Sequence, residues 1–198
     1  MPVPTVGVLA LQGAFREHSR VLARLGAQVR ELRQASDLPG IDALVIPGGE
    51  STTIGKLLVE LDMMDTLKQR LEGGMPAFGT CAGLILLCKN IEYSAQPRLG
   101  VIDAQVRRNA FGRQVDSFEA PLSITGLDPE PFNGVFIRAP VILDIGPGVQ
   151  SLAHVLQDGI ERPVAIRQGN VLAASFHPEL TEDDRMHRAF LKMCNWKA

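Results

Sequence analysis

A cysteine stands where the sequence pattern predicts a sharp turn between a strand and a helix. Residues 78–83 have the sequence FGTCAG, and the apolar run LILLC follows at residues 84–88. Gly79 and Gly83 flank Cys81 at two-residue spacing, as in a nucleophile elbow with Cys in place of Ser. Such a turn needs small residues, and the N-terminus of the following helix directs N–H groups towards the sulfur. The pattern predicts a reactive thiol; the alternative is a buried structural cysteine beside a tight turn.

A histidine follows another apolar run and is a candidate base for this thiol. Residues 171–176 have the sequence VLAASF, His177 comes next, and Pro178 ends the strand. Glu179 lies two residues after His177, where its carboxylate can orient the imidazole and stabilise the imidazolium. We therefore expect Cys81, His177 and Glu179 to act together. The alternative for His177 is a surface histidine in a turn.

The other three histidines have neighbours that indicate exposed positions. His18 and His187 follow or adjoin charged residues in predicted helices, and His154 lies in an amphipathic stretch of ambiguous structure. We expect all three at the surface, outside the chemistry.

Acyl transfer by a thiolate also requires two N–H donors for the oxyanion. The N–H of Ala82, directly after Cys81, is one candidate. Gly48 and Gly49 follow a predicted strand and can supply the second, because glycine allows the backbone to approach a substrate closely. The alternative for this glycine pair is an ordinary strand-to-helix turn.

Strands and helices alternate over the first 90 residues. Apolar runs predict strands at residues 5–11, 27–32, 42–46 and 76–79, and helical spacing predicts helices at residues 14–25, 52–61 and 65–71, with Ser51 as the N-cap of the second. This order predicts an α/β fold, doubly wound, with a mostly parallel sheet flanked by helices. Sites in such folds lie at the carboxyl ends of the strands, where both Cys81 and the glycine pair are found.

The second half of the chain predicts a small antiparallel extension of this sheet. Strands are expected at residues 99–108, 117–124 and 134–140, a hairpin at residues 163–168 and 171–176, and a last helix at residues 182–196 after a capping-box-like start at Thr181, whereas residues 151–158 are ambiguous. No linker divides the chain, so we expect a single domain over residues 1–198.

Composition excludes several classes of protein. The 198 residues carry a net charge of −2, which does not indicate a nucleic-acid or membrane surface. Three cysteines without paired metal-ligand spacing predict neither a disulfide framework nor a metal site. There is no secretory signal and no apolar run of about 18 residues, so we expect a cytoplasmic protein. No cofactor is expected, because the chain has no P-loop, dinucleotide fingerprint or Schiff-base lysine motif.

Taken together, three motifs resemble class I, triad-type glutamine amidotransferases, which have a flavodoxin-like fold. They are PGGES at residues 47–51, GTCAG at residues 79–83 and FHPE at residues 176–179. Longer motifs resemble, more narrowly, the glutaminase subunits of pyridoxal 5′-phosphate synthases. These are GVLALQG at residues 7–13, PGGESTT at residues 47–53, RNAFGRQVDSFE at residues 108–119, VFIRAP at residues 135–140 and SFHPELTE at residues 175–182.

The resemblance implies hydrolysis of L-glutamine to glutamate and ammonia. Cys81 would form a thioester, His177 would transfer the protons and Glu179 would orient His177. The residues that the resemblance implies for holding glutamine are Gly49, Glu50, Ser51, Arg108, Ile137 and Arg138. Position 110 is Ala where the family has Ser, which leaves Arg108 in place. An arginine suits the α-carboxylate of free glutamine.

The chain has a means of releasing ammonia and no evident means of using it. The resemblance implies a partner, the synthase subunit, which is a barrel enzyme that makes pyridoxal 5′-phosphate in a large hetero-oligomer and activates the glutaminase by docking. Gln12, beside the expected site, is a candidate for sensing this partner.

Three other functions remain open. The chain could serve another amidotransferase, such as one of histidine biosynthesis, although the motif at residues 108–119 argues against this. It could be a γ-glutamyl or cysteine peptidase with the same three catalytic residues. It could also be a silent binding module, which the intact set of Cys81, His177 and Glu179 disfavours.

Overall fold

A computed structural model of the chain describes residues 3–108, 117–157 and 159–196. The strands are β1 (Thr5–Leu9), β2 (Gln28–Leu32), β3 (Ala43–Ile46), β4 (Ala77–Thr80), β5 (Cys88–Ile91), β6 (Ile102–Arg107), β7 (Ser117–Leu122), β8 (Phe132–Ile137), β9 (Val141–Ile145), β10 (Gln150–Gln157), β11 (Ile160–Gln168) and β12 (Val171–Ala174). The helices are α1 (Phe15–Arg24), α2 (Ser51–Glu60), α3 (Met64–Glu72), α4 (Ala82–Leu87) and α5 (Arg185–Met193), with 3₁₀ turns at Ala35–Asp37 and Pro178–Leu180.

A seven-stranded sheet in the order β10-β11-β12-β4-β3-β1-β2 forms the centre of the described chain. The strands from β12 to β2 are parallel, while β11 and β10 extend the sheet antiparallel beyond β12. The predicted hairpin corresponds to β11 and β12. The predicted α/β fold with a mostly parallel sheet is therefore confirmed.

Helices cover both faces of this sheet because successive side chains of a strand point to opposite faces. In β3, Leu44 and Ile46 pack in the cluster that contains buried residues of α2, α3 and α4. Val45 packs on the opposite face, in the cluster that contains residues of α1 and α5. No helix in the described ranges is long and apolar enough to cross a membrane.

Two smaller sheets, β5-β6-β9 and β7-β8, lie outside the seven-stranded sheet. The pairs β6-β9 and β7-β8 are antiparallel, as the sequence predicts for this half of the chain, whereas β5 pairs with β6 in parallel. The sequence did not predict β5 or β9, because β5 follows α4 without a turn signal and β9 follows directly after Pro140. The ambiguous stretch at residues 151–158 belongs to strand β10 up to Gln157, and residue 158 lies outside the described residues.

Two predicted helix starts are wrong. Helix α2 already begins at Ser51, and its N-cap is Glu50, whose carboxylate accepts the N–H groups of Thr52 (3.1 Å) and Thr53 (2.7 Å). Helix α5 begins only at Arg185, without a side-chain cap. Thr181 instead closes its own turn, donating its hydroxyl to the Pro178 carbonyl at 3.1 Å.

The parallel strands end at one edge of the sheet, where the residues expected to do chemistry follow them. Gln12 follows β1, Gly48 follows β3, Cys81 follows β4 and His177 follows β12. Strand β8 also reaches this edge, because the His177 N–H donates to the Val135 carbonyl at 2.8 Å.

Candidate active site

Cys81 stands at a strained turn between β4 and α4. Its backbone angles are φ 50° and ψ −100°, a conformation that residues other than glycine rarely adopt. The turn is anchored by its N–H, which donates to the Ala174 carbonyl of β12 at 2.8 Å. The N–H of Ala82, at the first position of α4, has no partner within its helix. The elbow that the sequence predicts is thus present as geometry.

Gly83 explains why this turn needs small residues on the helix side. A Cβ at this position would overlap the carbonyl oxygen of Ile46 at the end of β3. Helix α4 can therefore lie directly against the end of β3 only with glycine at position 83.

His177 and Glu179 form a buried pair beside the cysteine. The distance from His177 Nδ1 to Glu179 Oε1 is 2.7 Å, and Glu179 is only 5% exposed. Burial by itself would lower the pKa of His177, but the hydrogen bonds and charges of Cys81 and Glu179 outweigh it and raise the pKa to about 10. Burial likewise opposes ionisation of Glu179, yet His18 and His177 hold its pKa below the ordinary value.

Gly48 lies against the side chains of both His177 and Cys81. A Cβ on Gly48 would clash with the His177 ring and would come within 3.3 Å of the Cys81 Cβ. The turn after β3 is fixed by the loop after β1: the Gly48 carbonyl accepts the Ala14 N–H at 3.0 Å, and the Gln12 Oε1 accepts the Glu50 N–H at 2.6 Å. The sequence did not predict this hydrogen bond between Gln12 and Glu50.

These residues surround a cleft of about 470 Å³. Its lining consists of Gln12, Ala14, Gly48, Gly49, Glu50, Ser51, Cys81, Ile85, Arg108, Ile137, Arg138, His177 and Leu180. All six positions that the resemblance assigned to glutamine binding are among them. Glu179 is behind His177, away from the cleft wall.

Arg108 and Glu50 are joined on one side of the cleft. The guanidinium of Arg108 donates to Thr52 Oγ1 (2.9 Å), Gln96 Oε1 (2.8 Å) and Glu50 Oε1 (3.2 Å). Burial disfavours the charge of Glu50, but hydrogen bonds from Thr53 and Thr52 lower its pKa to about 2. Of the motif at residues 108–119, residues 109–116 lie outside the described residues, and residues 117–119 belong to β7.

The opposite side of the cleft is formed by the end of β8. The carbonyl oxygen of Ile137 is 3.9 Å from Cys81 Sγ and can accept a weak hydrogen bond from the thiol. Arg138 adopts a left-handed backbone conformation, with φ 41°, which turns the chain at the cleft.

The expectation that His18 and His187 are exposed is wrong, since both are 0% exposed. The charged neighbours concealed their helical period: His18 shares a face with Val21 and Leu22, and His187 shares a face with Phe190 and Leu191. That i+3, i+4 spacing was the available signal. His154 is exposed, as expected, with its ring 2.9 Å from Ser151 Oγ.

The described residues contain no group of three or more His, Cys, Asp or Glu side chains that could hold a metal ion. The arrangement of thiol, imidazole and carboxylate is instead that of a nucleophile, a proton carrier and an orienting group.

The α/β sheet with a nucleophilic residue at a strand–helix elbow is the architecture of a class of amide and ester hydrolases and acyl transferases. The model of the SNO glutamine amidotransferase family matches residues 8–196, and the chain belongs to this family.

Two curated relatives carry the name pyridoxal 5′-phosphate synthase subunit PdxT. The protein of Pelotomaculum thermopropionicum is 59% identical over 189 residues, covering 96% of this chain and 94% of the relative. That of Moorella thermoacetica is 57% identical over 188 residues, covering 95% of this chain and 98% of the relative. A crystal structure of a glutamine amidotransferase superposes with a TM-score of 0.89 at 55% identity, covering 96% of this chain and 99% of that chain.

Proposed function

We propose that the chain is the glutaminase subunit of a pyridoxal 5′-phosphate synthase, and that Cys81, His177 and Glu179 hydrolyse L-glutamine in the cleft. The observation that carries this proposal is the buried His177–Glu179 pair, 2.7 Å from Nδ1 to Oε1, beside the elbow cysteine in a cleft lined by glycine backbone and two arginines. The names of the 57–59% identical relatives support the synthase assignment.

The reaction begins when the Cys81 sulfur, as thiolate, attacks the carboxamide carbon of glutamine. The carbonyl oxygen becomes an oxyanion, which the N–H groups of Ala82 and of Gly48 or Gly49 stabilise. The C–N bond then breaks, the His177 imidazolium protonates the departing nitrogen, and ammonia leaves behind a thioester on Cys81.

Hydrolysis of the thioester uses the same histidine as a base. Neutral His177 takes a proton from water, whose oxygen attacks the thioester carbon, and a second oxyanion forms in the same place. Breaking the C–S bond releases glutamate and restores the thiolate–imidazolium pair. Glu179 holds the imidazole in one orientation throughout.

The glutamine α-carboxylate is the group that the arginines suit. Arg108 presents a planar fork that forms paired hydrogen bonds with carboxylates, and it is already held in place by Gln96 and Thr52. Arg138 also lines the cleft. The backbone of Gly49, Glu50, Ser51 and Ile137 completes the proposed glutamine contacts.

The ammonia passes to a synthase subunit, which we propose is a barrel enzyme in a large hetero-oligomer with this chain. The proposal treats residues 1–198 as one amidotransferase domain that acts in the cytoplasm and requires no cofactor of its own. The family model, which spans residues 8–196, supports the single domain.

One experiment tests the function and separates the alternatives. Ammonia release from L-glutamine is measured with the purified chain alone and with a synthase subunit, in the native form and as Cys81→Ala. We expect release that rises with the synthase subunit and disappears in the variant. Cleavage of peptides or γ-glutamyl amides without a partner would instead identify a peptidase. Activity that Cys81→Ala retains would contradict the proposed nucleophile.

A further inference from the structure

Two buried histidines lie behind the proposed catalytic pair, on the side away from the cleft. His18 of α1 and His187 of α5 are fully buried, and neither lines the cleft. His18 Nδ1 is 2.9 Å from His187 Nε2, so the two rings share one hydrogen bond. Burying an imidazole costs free energy unless its nitrogen atoms form hydrogen bonds. The proposed mechanism uses neither of these two rings.

The second oxygen of Glu179 faces this histidine pair. Glu179 Oε1 contacts His177, whereas Oε2 is buried and forms no hydrogen bond with the described residues. Its neighbour is His18 Nε2, at 3.3 Å; the same nitrogen is 3.0 Å from Thr80 Oγ1. The hydrogen-bond partner of His18 Nε2 is thus Thr80, the residue that precedes Cys81, and a proton on this nitrogen also faces the carboxylate as an electrostatic contact.

The contacts specify one arrangement of protons in the two rings. An ionised Glu179 can only accept, so His18 carries its proton on Nε2 and its Nδ1 is an acceptor. His187 must then donate from Nε2 to His18 Nδ1. This leaves His187 Nδ1 as a lone pair without a proton, and that atom is indeed buried without a partner among the described residues. The N–H of His187 therefore points to His18, and the N–H of His18 lies on the side of Glu179.

The surroundings keep both rings neutral. Burial lowers the pKa of His18, with Glu179 and Glu17 opposing and His177 reinforcing this shift. Burial lowers the pKa of His187 well below its ordinary value, and the charge of Arg24 lowers it more; a proton added to His18 would lower it again. Phe78 packs edge-on against both imidazoles, with ring centroids 6.1 Å from that of His18 and 5.6 Å from that of His187.

We propose that His18 is a positioning residue for the reaction: its Nε2–H attracts the second oxygen of Glu179 across the 3.3 Å contact, and His187 holds His18 in the tautomer that can do so. This inference rests on the proposed glutaminase function. Glu179 is then fixed by His177 through one oxygen and by His18 through the other, and His177 keeps its alignment with Cys81.

Two substitutions of His18 distinguish positioning from mere filling of the core. In His18→Gln the amide nitrogen takes the place of Nε2 and can still donate to Glu179. In His18→Asn the shorter amide takes the place of Nδ1, so the contact with His187 remains and the donor to Glu179 is lost. His154→Asn, at an exposed histidine outside this network, is the control.

We expect His18→Asn to lower kcat for glutamine about tenfold, with KM unchanged, by analogy with the loss of outer hydrogen-bond partners at other sites. His18→Gln should retain most of kcat, and His177 should titrate at a lower pH in the Asn variant than in the Gln variant. Measurements use the full chain with its synthase partner, and thermal unfolding checks that each variant is folded. Equal kcat in the two variants, or a rise in KM alone, would overturn the proposal.

A measurement on the unaltered protein removes any dependence on how the variants fold. Nitrogen-15 NMR of the histidine rings should find His18 and His187 neutral, each with its proton on Nε2. A proton on Nδ1 of His18 contradicts the proposal, because no donor would then face Glu179. These ring signals do not depend on the substrate, so they test the positioning role even if the protein released no ammonia from glutamine, an outcome that would contradict only the proposed function.

Discussion

At the scale of single residues, His177 is a cleft side chain that can hold a proton at neutral pH, because its pKa is raised. Its pKa of about 10 reflects burial, which opposes the charge, and contacts with Cys81 and Glu179, which favour it. An imidazolium at neutral pH is the acid that departing ammonia needs. In the proposed mechanism the sulfur carries no charge once the thioester has formed, so one cause of the raised pKa of His177 is lost. The ring is then a better base for the step that consumes water.

The first prediction concerns the charge of Glu179. Glu179→Gln keeps the size of the side chain but removes the charge, so we expect the pKa of His177 to fall from about 10 towards its ordinary value. The expected loss in kcat is about 10³–10⁴-fold, as when the carboxylate of a serine protease triad becomes an amide. NMR titration of His177 and steady-state ammonia release measure the two effects. Glu182→Gln, at a fully exposed side chain, is the control.

The same shift predicts how stability depends on pH. His177 binds its proton more tightly in the folded chain, with a pKa of about 10, than in the unfolded chain, where the ordinary value is 6.5. Its contribution to the free energy of unfolding is therefore complete below about 6.5 and is lost as the pH rises through about 10. Urea unfolding across this range should show a steeper decline in the native chain than in Glu179→Gln. Equal slopes would contradict the raised pKa.

At the scale of elements, the N-terminus of α2 shows how a helix start also shapes the cleft. Glu50 has extended backbone angles, φ −100° and ψ 108°, and its long side chain reaches back over the first turn. Its carboxylate satisfies two N–H groups of the helix and also accepts from Arg108. Glu50 thus both caps α2 and holds Arg108, the arginine that we propose binds glutamine.

The second prediction compares the cap that the sequence indicated with the cap that the structure has. Glu50→Ala should lower the free energy of unfolding by about 0.5–2 kcal/mol, the usual cost of losing an N-cap. Ser51→Ala should cost less, because Ser51 Oγ has only a 3.4 Å contact with Gln96. Chemical denaturation at neutral pH measures both. A larger loss in the Ser51 variant would show that Ser51 is the cap after all.

At the scale of the whole molecule, the reacting groups come from distant parts of the chain and meet because parallel strands end at one edge. Strands β1, β3, β4 and β12 are neighbours in the sheet, and each continues into a segment of the cleft. Strand β8, from the two-stranded sheet β7-β8, supplies the remaining wall through Ile137 and Arg138. The fold therefore provides a cleft before any side chain is considered.

The alternation of apolar runs and short motifs predicted this sheet, because burial on both faces and strand-to-helix turns impose local patterns. The proposed triad could also be located, since Cys81 comes directly after β4 and His177 follows the apolar run that contains β12. The burial of His18 and His187 depends on how α1 and α5 pack against the same face near Phe78. Neither local charge nor motif spacing indicates such packing. They also did not indicate that the side chain of Glu50, and not that of Ser51, caps α2.

The last prediction concerns Gln12, which connects the loop after β1 to the turn after β3. Its Oε1 accepts the Glu50 N–H at 2.6 Å, next to the glycines that we propose as oxyanion donors. Gln12→Ala leaves that N–H without its partner and frees the turn, so we expect partner-stimulated ammonia release to fall by up to about 10²-fold, approaching the loss of one oxyanion donor. Gln28→Ala, whose side chain lies exposed on β2 near Thr5, is the matched control. If Gln12→Ala leaves stimulation by the synthase subunit intact, Gln12 neither holds the turn for catalysis nor senses the partner, and the two glycines are fixed by the Ala14–Gly48 hydrogen bond alone.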